Sequence, residues 1–488
     1  MFWKSATLFL SGLWLASTVQ AQPDTAWTKR FGDEGDQICH ALIQTADGGF
    51  AMTGFTQVEQ RVGRGACFLI KTDPSGESDW SQIYDEDSTA CPNSMILTDD
   101  GGFALSGNYT VAGGGGFDFG LTRTDSLGQR TWTHHYGGPQ TDWCWSVIET
   151  SDGGFVLAGY TWSFGVGERD FWLVKTDADG VVLWSRTFGG AGADICYSVI
   201  QTSDGGLAFA GTTESFGSGE QDFWLIRTNQ NGDSLWSRTY GGINADQCYT
   251  LIQTSDAGFA LAGYTWLTNN EGRGNFYIVR TDENGDILWT KNFGGASSEV
   301  CYSILQTADG GFALAGDSES FGNGYLDFWM VRIDSDGNSL WSANFGNPPK
   351  DECVSVVMTA DGSFVLGGTS YSFAGSGDFY LVKTTPDPVS VSNNGFVPNP
   401  TFLSLLSTYP NPFNSSISVG FRTASPGMYA LDVIDPQGRS LGVISQGYKL
   451  AGERRLVWNS DGLPGGNYWL RLTDSQGGQD IKSIVLVR

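Results

Sequence analysis

The sequence predicts an all-β fold: a seven-bladed β-propeller closed by its own N-terminal strand, followed by a small C-terminal β-sandwich. Three observations lead there. First, Asp-Gly-Gly-Phe or a near variant recurs seven times, with its aspartate at Asp47, Asp100, Asp152, Asp204, Asp256, Asp309 and Asp361. Second, each copy contains four short β-branched or apolar runs separated by Gly, Asp and Asn turns, the pattern of a propeller blade. Third, the array opens with a fourth-strand sequence and ends without one.

Taken in order, the first element is a leader. Lys4 gives a positive start, Ala6 to Ala16 is apolar, and Val19-Gln20-Ala21 offers small residues for cleavage. Residues 1–21 therefore read as a secretory signal peptide, with the mature chain starting near Gln22 and an extracellular or cell-surface location. No other apolar stretch is long enough for a transmembrane segment. The balance of 27 basic against 53 acidic residues, a net −26, repels phosphate backbones and excludes nucleic acid as a partner. It suits cations or neutral ligands such as sugars.

The propeller is expected over residues 22–385. Cys196 to Thr202 is β-branched and predicts a first strand; Asp204-Gly205-Gly206 predicts a hairpin turn, with glycine supplying the positive φ. Leu207 to Thr213 follows as a second strand, then a glycine-rich loop. Phe223 to Thr228 is a third strand, Asn231-Gly232 a second turn, and Ser234 to Tyr240 a fourth strand. Thr25 to Gly32 has that fourth-strand character, and the seventh copy stops after Asp378 to Lys383. The chain's beginning is thus predicted to complete its last blade, which removes the open edges. This closure resembles that of WD-repeat propellers, although the WD-repeat signature is absent.

Residues present in every copy read as scaffold. Trp27, Trp80, Trp132, Trp184, Trp236, Trp289 and Trp341 are predicted to pack blade on blade. Lys71, Arg123, Lys175, Arg227, Arg280, Arg332 and Lys383 are predicted to pair with turn aspartates, since a buried charge needs a partner. Cys39, Cys91, Cys144, Cys196, Cys248, Cys301 and Cys353 are placed at the start of the first strand as small apolar residues, with adjacent-blade disulfides an open alternative. The turns Asp177-Ala-Asp179-Gly180 and Asp334-Ser-Asp336-Gly337 share the start of a calcium loop but lack its later glutamate, and read as hairpins. No metal or cofactor is predicted.

Candidate function lies where the copies disagree. Three residues past the second-strand glycine stand Gln57, Thr110, Trp162, Glu214, Trp266, Glu319 and Tyr371. The binding candidates are Trp162, Trp266, Tyr371, Glu214 and Glu319, with Trp143 and Trp145 as aromatics unique to the third copy. Aromatic faces stacking on sugar rings and carboxylates accepting hydroxyl protons suit a glycan. The expected face is the loop-rich one, which also carries Asp142, Asp194, Asp246, Glu299 and Asp351 before the first strands. Glu214 and Glu319 lie two copies apart, too far for glycosidase carboxyls, which stand about 5–10 Å apart. No nucleophile elbow, zinc motif or phosphate loop occurs. No catalytic residue is assigned.

Composition shifts after Lys383. Residues 386–404 are rich in Pro, Ser and Asn and read as a linker. Residues 405–488 carry Tyr409-Pro-Asn-Pro-Phe-Asn414, Asp435-Pro-Gln-Gly-Arg439, Ala451-Gly452, Val457-Trp-Asn459 and Gly465-Gly-Asn-Tyr468-Trp-Leu-Arg471. This run resembles the C-terminal sorting domain of type IX secretion substrates and the related Ig-like fold of flagellar hook-capping proteins. The resemblance implies an Ig-like β-sandwich that engages export machinery at a bacterial outer membrane. An Ig-like module retained as a binding or spacing domain is the competing reading. The repeats also resemble propeller-like regions of exported bacterial proteins, which implies no particular activity. The expectation is a secreted or cell-surface binding protein, non-enzymatic, for a glycan or other extracellular polymer. A carbohydrate-active hydrolase or lyase, and a protein-binding adhesion scaffold, are the alternatives.

Overall fold

The computed structural model describes residues 22–32, 35–57, 65–84, 90–110, 116–266, 273–372, 376–391, 404–409, 416–423, 427–434, 439–449, 452–460, 463–474 and 479–486. The expected leader, most of the linker, the Pro410–Asn414 and Asp435–Gly438 turns and Ala451 lie outside them.

The chain opens with strand β1 (Thr25–Phe31). Six runs of four strands follow. They are β2 (Gln37–Gln44), β3 (Phe50–Gln57), β4 (Gly65–Thr72) and β5 (Ser78–Tyr84); β6 (Ala90–Leu97), β7 (Phe103–Thr110), β8 (Phe117–Thr124) and β9 (Arg130–Tyr136); β10 (Asp142–Glu149), β11 (Phe155–Thr161), β12 (Asp170–Thr176) and β13 (Val182–Phe188). Then come β14 (Asp194–Gln201), β15 (Leu207–Thr213), β16 (Asp222–Thr228) and β17 (Ser234–Tyr240); β18 (Asp246–Gln253), β19 (Phe259–Trp266), β20 (Gly274–Thr281) and β21 (Ile287–Phe293); β22 (Glu299–Gln306), β23 (Phe312–Ser318), β24 (Asp327–Ile333) and β25 (Ser339–Phe345). The last repeat supplies β26 (Asp351–Met358), β27 (Ser363–Ser370) and β28 (Asp378–Pro386), followed by the short helix α1 (Pro388–Val391).

Each run forms one antiparallel sheet with its strands in chain order, and β1 completes the sheet β26-β27-β28-β1. Trp27 lies opposite Lys383 and Phe31 opposite Phe379 in that pairing. The first strand of each sheet packs on the first three strands of the sheet before it. The series returns to its start, because β2 packs on β26, β27 and β28.

Local chemistry explains each sheet. Gly205 turns the chain at φ 87° while Asp204 accepts hydrogen bonds from the Thr202 hydroxyl at 2.7 Å and the Gly206 amide at 3.1 Å. In β14 an extra residue, Tyr197, is bulged between Cys196 and Ser198. Close approach there excludes a side chain at Gly211, whose Cβ would stand 1.9 Å from the Ile195 carbonyl oxygen.

Packing between sheets is equally regular. Trp27 meets Phe50 edge-on at 6.1 Å, Trp80 meets Phe103 at 5.8 Å, and Trp341 meets Phe364 at 5.9 Å, each on the next sheet. The outer-strand tryptophans are half-buried because solvent covers one side of the outer strand; only Trp341 is buried. The turn cations pair as expected: Arg123 with Asp100 at 2.6 Å, Lys175 with Asp152 at 2.9 Å, Arg280 with Asp256 at 2.6 Å, Lys383 with Asp361 at 3.1 Å. Lys71, Arg227 and Arg332 pair likewise with Asp47, Asp204 and Asp309. Asp177 spends one oxygen on the amides of Asp179 and Val181, as a hairpin aspartate does.

Two sequence assignments change. All eight cysteines are free thiols, and Cys91 is out of register with the rest. In the second sheet Pro92 faces Gly107, the place that Cys144 holds opposite Gly159, so Cys91 sits one residue early and is only half-buried. The start of the expected linker also belongs to the scaffold. Buried Asp387 accepts hydrogen bonds from Arg332 Nε at 2.9 Å and Trp341 Nε1 at 3.0 Å.

After residue 403 a second unit begins with β29 (Ser404–Tyr409), β30 (Ser416–Thr423), β31 (Gly427–Ile434), β32 (Ser440–Lys449), β33 (Gly452–Asn459), β34 (Gly466–Asp474) and β35 (Gln479–Leu486). They form the sheets β29-β30-β33 and β32-β31-β34-β35. Ile417, Val419 and Phe421 from one sheet and Leu431, Leu470 and Ile484 from the other share a single apolar core.

Candidate functional site

The loop-rich end of the sheets separates into residues that hold the loops and residues left to face solvent. The acids before the first strands, expected on this face, belong to the first group. Asp194 is buried; its Oδ2 accepts hydrogen bonds from the Gly190 amide at 2.9 Å and the Ser215 hydroxyl at 2.7 Å, and its Oδ1 accepts one from Thr213. Asp142 and Glu299 are used in the same way. Their oxygens are already spent on the protein's own donors.

Two of the proposed binding residues meet in one cleft. Glu214, just past β15, and Trp266, the last residue of β19, line a cleft of about 480 Å³ between adjacent sheets. Glu220, Gln221, Ala245, Gln247 and Tyr264 complete it. Its volume falls within the range of about 300–1,000 Å³ typical of ligand sites. Trp266 is 41% exposed, which leaves it accessible to a ligand. A hydrogen-bonded chain runs beneath it. Tyr249 donates to Gln247 Oε1 at 2.9 Å, Gln247 Nε2 donates to Gln221 Oε1 at 2.5 Å, and Gln221 Nε2 donates to Glu214 Oε1 at 2.6 Å. This chain fixes the orientation of both amides and leaves the second carboxylate oxygen of Glu214 as an acceptor.

The other candidates are distributed around the ring of sheets. Trp162 is 40% exposed and lies with Tyr160 against Arg169, on the preceding sheet. Tyr371 lies under Lys350 Nζ at 5.0 Å, and that lysine is also paired with Glu352 at 2.7 Å. Glu319 stands two sheets beyond Glu214 and is not part of the cleft. Trp143 and Trp145 touch each other at 5.9 Å; Trp143 also meets Phe117 at 5.3 Å.

Trp145 is not unique in kind. It occupies the bulge position of its first strand, where the next three sheets place Tyr197, Tyr249 and Tyr302. Successive rings stand 5.3, 4.9 and 5.2 Å apart, forming a continuous aromatic arc on the first strands. Burial raises the hydroxyl pKa of each of the three tyrosines, so they act as neutral donors.

Sequence comparison of the copies missed Gln221 and Gln247. The signal was present: the residue before Asp170, Asp222, Asn275 and Asp327, which align among the copies, is Arg169, Gln221, Gly274 or Leu326, and the residue before the cysteine is Trp143, Ile195, Gln247 or Val300. Both positions diverge as strongly as the one that was followed.

No family model and no curated protein matches the chain. Solved structures with similar folds include the extracellular domain of a putative hybrid two-component system from B. thetaiotaomicron. It matches at 11% identity and a TM-score of 0.45, covering 96% of this chain and 60% of that one; the present chain thus spans under two thirds of its length. The WD40 domain of Neurospora crassa Pan2 matches at 10% identity and a TM-score of 0.46, over 72% of this chain and 89% of that one. The β-propeller domain of the Trilobed protease from Pyrococcus furiosus matches at 8% and 0.42, over 74% and 99%. The chain itself is all-β, built of repeated four-stranded antiparallel sheets. Among the described residues no helix is long and apolar enough to cross a membrane.

Proposed function

We propose that this protein is an exported glycan-binding β-propeller whose seven sheets are the blades of one closed ring. In this reading residues 405–488 form an Ig-like sandwich that addresses the chain to type IX export machinery. The observation that carries the binding role is the Glu214–Trp266 cleft. A pyranose offers C–H faces to an accessible indole and hydroxyls to oriented amides and a carboxylate; the cleft presents all three together.

Binding is favoured over hydrolysis by exposure. Glu214 and Glu220 share the cleft, but both are exposed to solvent. A general acid needs a carboxyl held protonated by an apolar surrounding.

A glycan array with the wild-type protein, Trp266→Ala and Glu214→Gln tests this. The expected result is wild-type binding to at least one glycan, lost at least tenfold in Trp266→Ala and weakened less in Glu214→Gln. Equal binding by Trp266→Ala contradicts the site. Release of reducing ends from a bound polymer contradicts the non-enzymatic reading. Export of a chain truncated at residue 404 contradicts the sorting role.

A further inference from the structure

On the sheet that precedes the cleft just described, a cation stands without a carboxylate partner among the described residues. Arg169 precedes β12, the position Gln221 holds before β16. Its guanidinium carbon lies 5.4 Å from the Tyr160 ring centre and 5.7 Å from the Trp162 ring centre. Its Nε is buried without a hydrogen-bond partner, and no described carboxylate forms an ion pair with it. Elsewhere the seven turn-end cations each have an aspartate, and Arg30, Arg186, Arg238 and Lys350 also have carboxylate partners. Arg273 also has no carboxylate partner among the described residues, but its Nη1 donates to the Ala296 carbonyl oxygen, whereas Arg169 lies against two aromatic rings.

We infer that Arg169 recognises a carboxylate on the ligand, so that the bound glycan is one bearing uronic acids. This rests on the glycan-binding reading above and names its substrate class. The guanidinium hydrogen-bonds to the Tyr160 hydroxyl and buries its Nε, and its remaining N–H groups can bind a carboxylate through parallel hydrogen bonds. The backbone is anchored there as well, since the Arg169 carbonyl oxygen accepts the Asp194 amide at 2.6 Å. Repeat geometry supplies the rest. Trp162 holds in its sheet the position that Glu214 holds in the next and Trp266 in the one after. A chain-like ligand spanning Trp162 and Trp266 passes Arg169 first and Glu214, Gln221 and Gln247 next. The net −26 opposes a polyanion at long range. That repulsion is screened beyond about 8 Å at physiological ionic strength, leaving the direct contact to set affinity.

The test is a panel of uronate-bearing polysaccharides (pectate, alginate and glucuronoxylan among them) and neutral glucans, at physiological salt. Each acidic polymer is used as such and after chemical reduction of its carboxyls to alcohols. The expected result is that wild type binds a uronate-bearing polymer at least tenfold better than its reduced form. Arg169→Gln should lose that factor on the native polymer and be indifferent to reduction, with an unchanged melting temperature. If Arg169→Gln unfolds, Arg169→Lys, which keeps the charge but loses the fork, is expected to show a reduced preference. Equal binding of native and reduced polymer, or a preference retained by the arginine variant, overturns the inference. If Trp266→Ala still abolishes binding in that case, the glycan reading itself stands. If wild type binds nothing in the panel, or Trp266→Ala binds as well as wild type, the glycan reading falls and the inference with it.

Discussion

The two ends of each four-stranded sheet solve the same problem in opposite ways. At the turn end, every aspartate of the repeated turn has a cation from the third strand: Arg123 on Asp100, Lys383 on Asp361, and so on around the series. At the loop end, aspartates face one another. Asp170 Oδ1 is buried without a partner, and it crowds the same space beside Gly189 as Asp194 Oδ2. Fixed, matched charge makes the turn end a uniform clamp. At the loop end only part of the acid is matched by internal donors, and the remaining positions are free to differ from blade to blade. The contrast explains why the cleft lies where it does.

The largest expected effect comes from the turn-end cation that is buried deepest. Arg332 is 1% exposed and holds both Asp309 and Asp387. Arg332→Met leaves buried Asp387 uncompensated and should cost about 3–5 kcal/mol in chemical denaturation. A loss near zero would show that the clamp does not depend on charge matching.

Next comes ring closure by the N-terminal strand. Trp27→Ala removes a half-buried ring from Phe50 and is expected to cost about 2 kcal/mol, below the roughly 3–5 of a fully buried aromatic. An unchanged thermal melt would mean that β1 contributes little to closure.

The two ends also respond oppositely to acid. At the turn end burial alone would raise the carboxyls, but hydrogen bonds from the turn and the cation outweigh it and bring Asp100 and Asp361 down to about 2. A depressed folded pKa contributes stability above the unfolded value, lost as pH falls from about 4 to about 2. Arg123→Gln should therefore flatten part of the stability loss in that window. At the loop end burial, and then the neighbouring Asp194, push the Asp170 carboxyl up. A raised folded pKa weakens the fold at neutral pH and relents on acidification. Asp170→Asn is expected to raise the melting temperature slightly; the fifth sheet already carries Asn275 at this position. A clear drop in its melt would mean that the carboxylate's acceptance of the Val166 amide at 2.6 Å outweighs the relief of charge.

The smallest effect concerns a turn that departs from the repeat. Ala257 adopts φ 69° where the other copies place glycine. Ala257→Gly should stabilise by about 1 kcal/mol, since an L side chain is disfavoured in that conformation.

The scaffold was legible because each of its devices is stated seven times. The turn aspartates, their cations and the outer tryptophans are all local patterns, and their partners lie at fixed offsets. Cys91 was misplaced because Pro92 takes its slot, a one-residue shift that only the pairing register reveals. Asp387 was hidden in a stretch whose composition reads as linker. The cleft was legible in part: Trp266 and Glu214 stood out as divergent. Gln221 and Gln247 did not, because their meaning depends on the contact between adjacent sheets. Arg169 likewise reads as one more surface cation until the rings beside it and the missing carboxylate are seen.

The most direct measurement is an isothermal titration of wild type and Trp266→Ala with the tightest-binding oligosaccharide from the array, alongside thermal melts of both. Wild type is expected to bind saturably at 1:1, the variant with a Kd at least tenfold weaker, and the two melts to match. Equal affinity of the two proteins, with both folded, would contradict the cleft as the binding site.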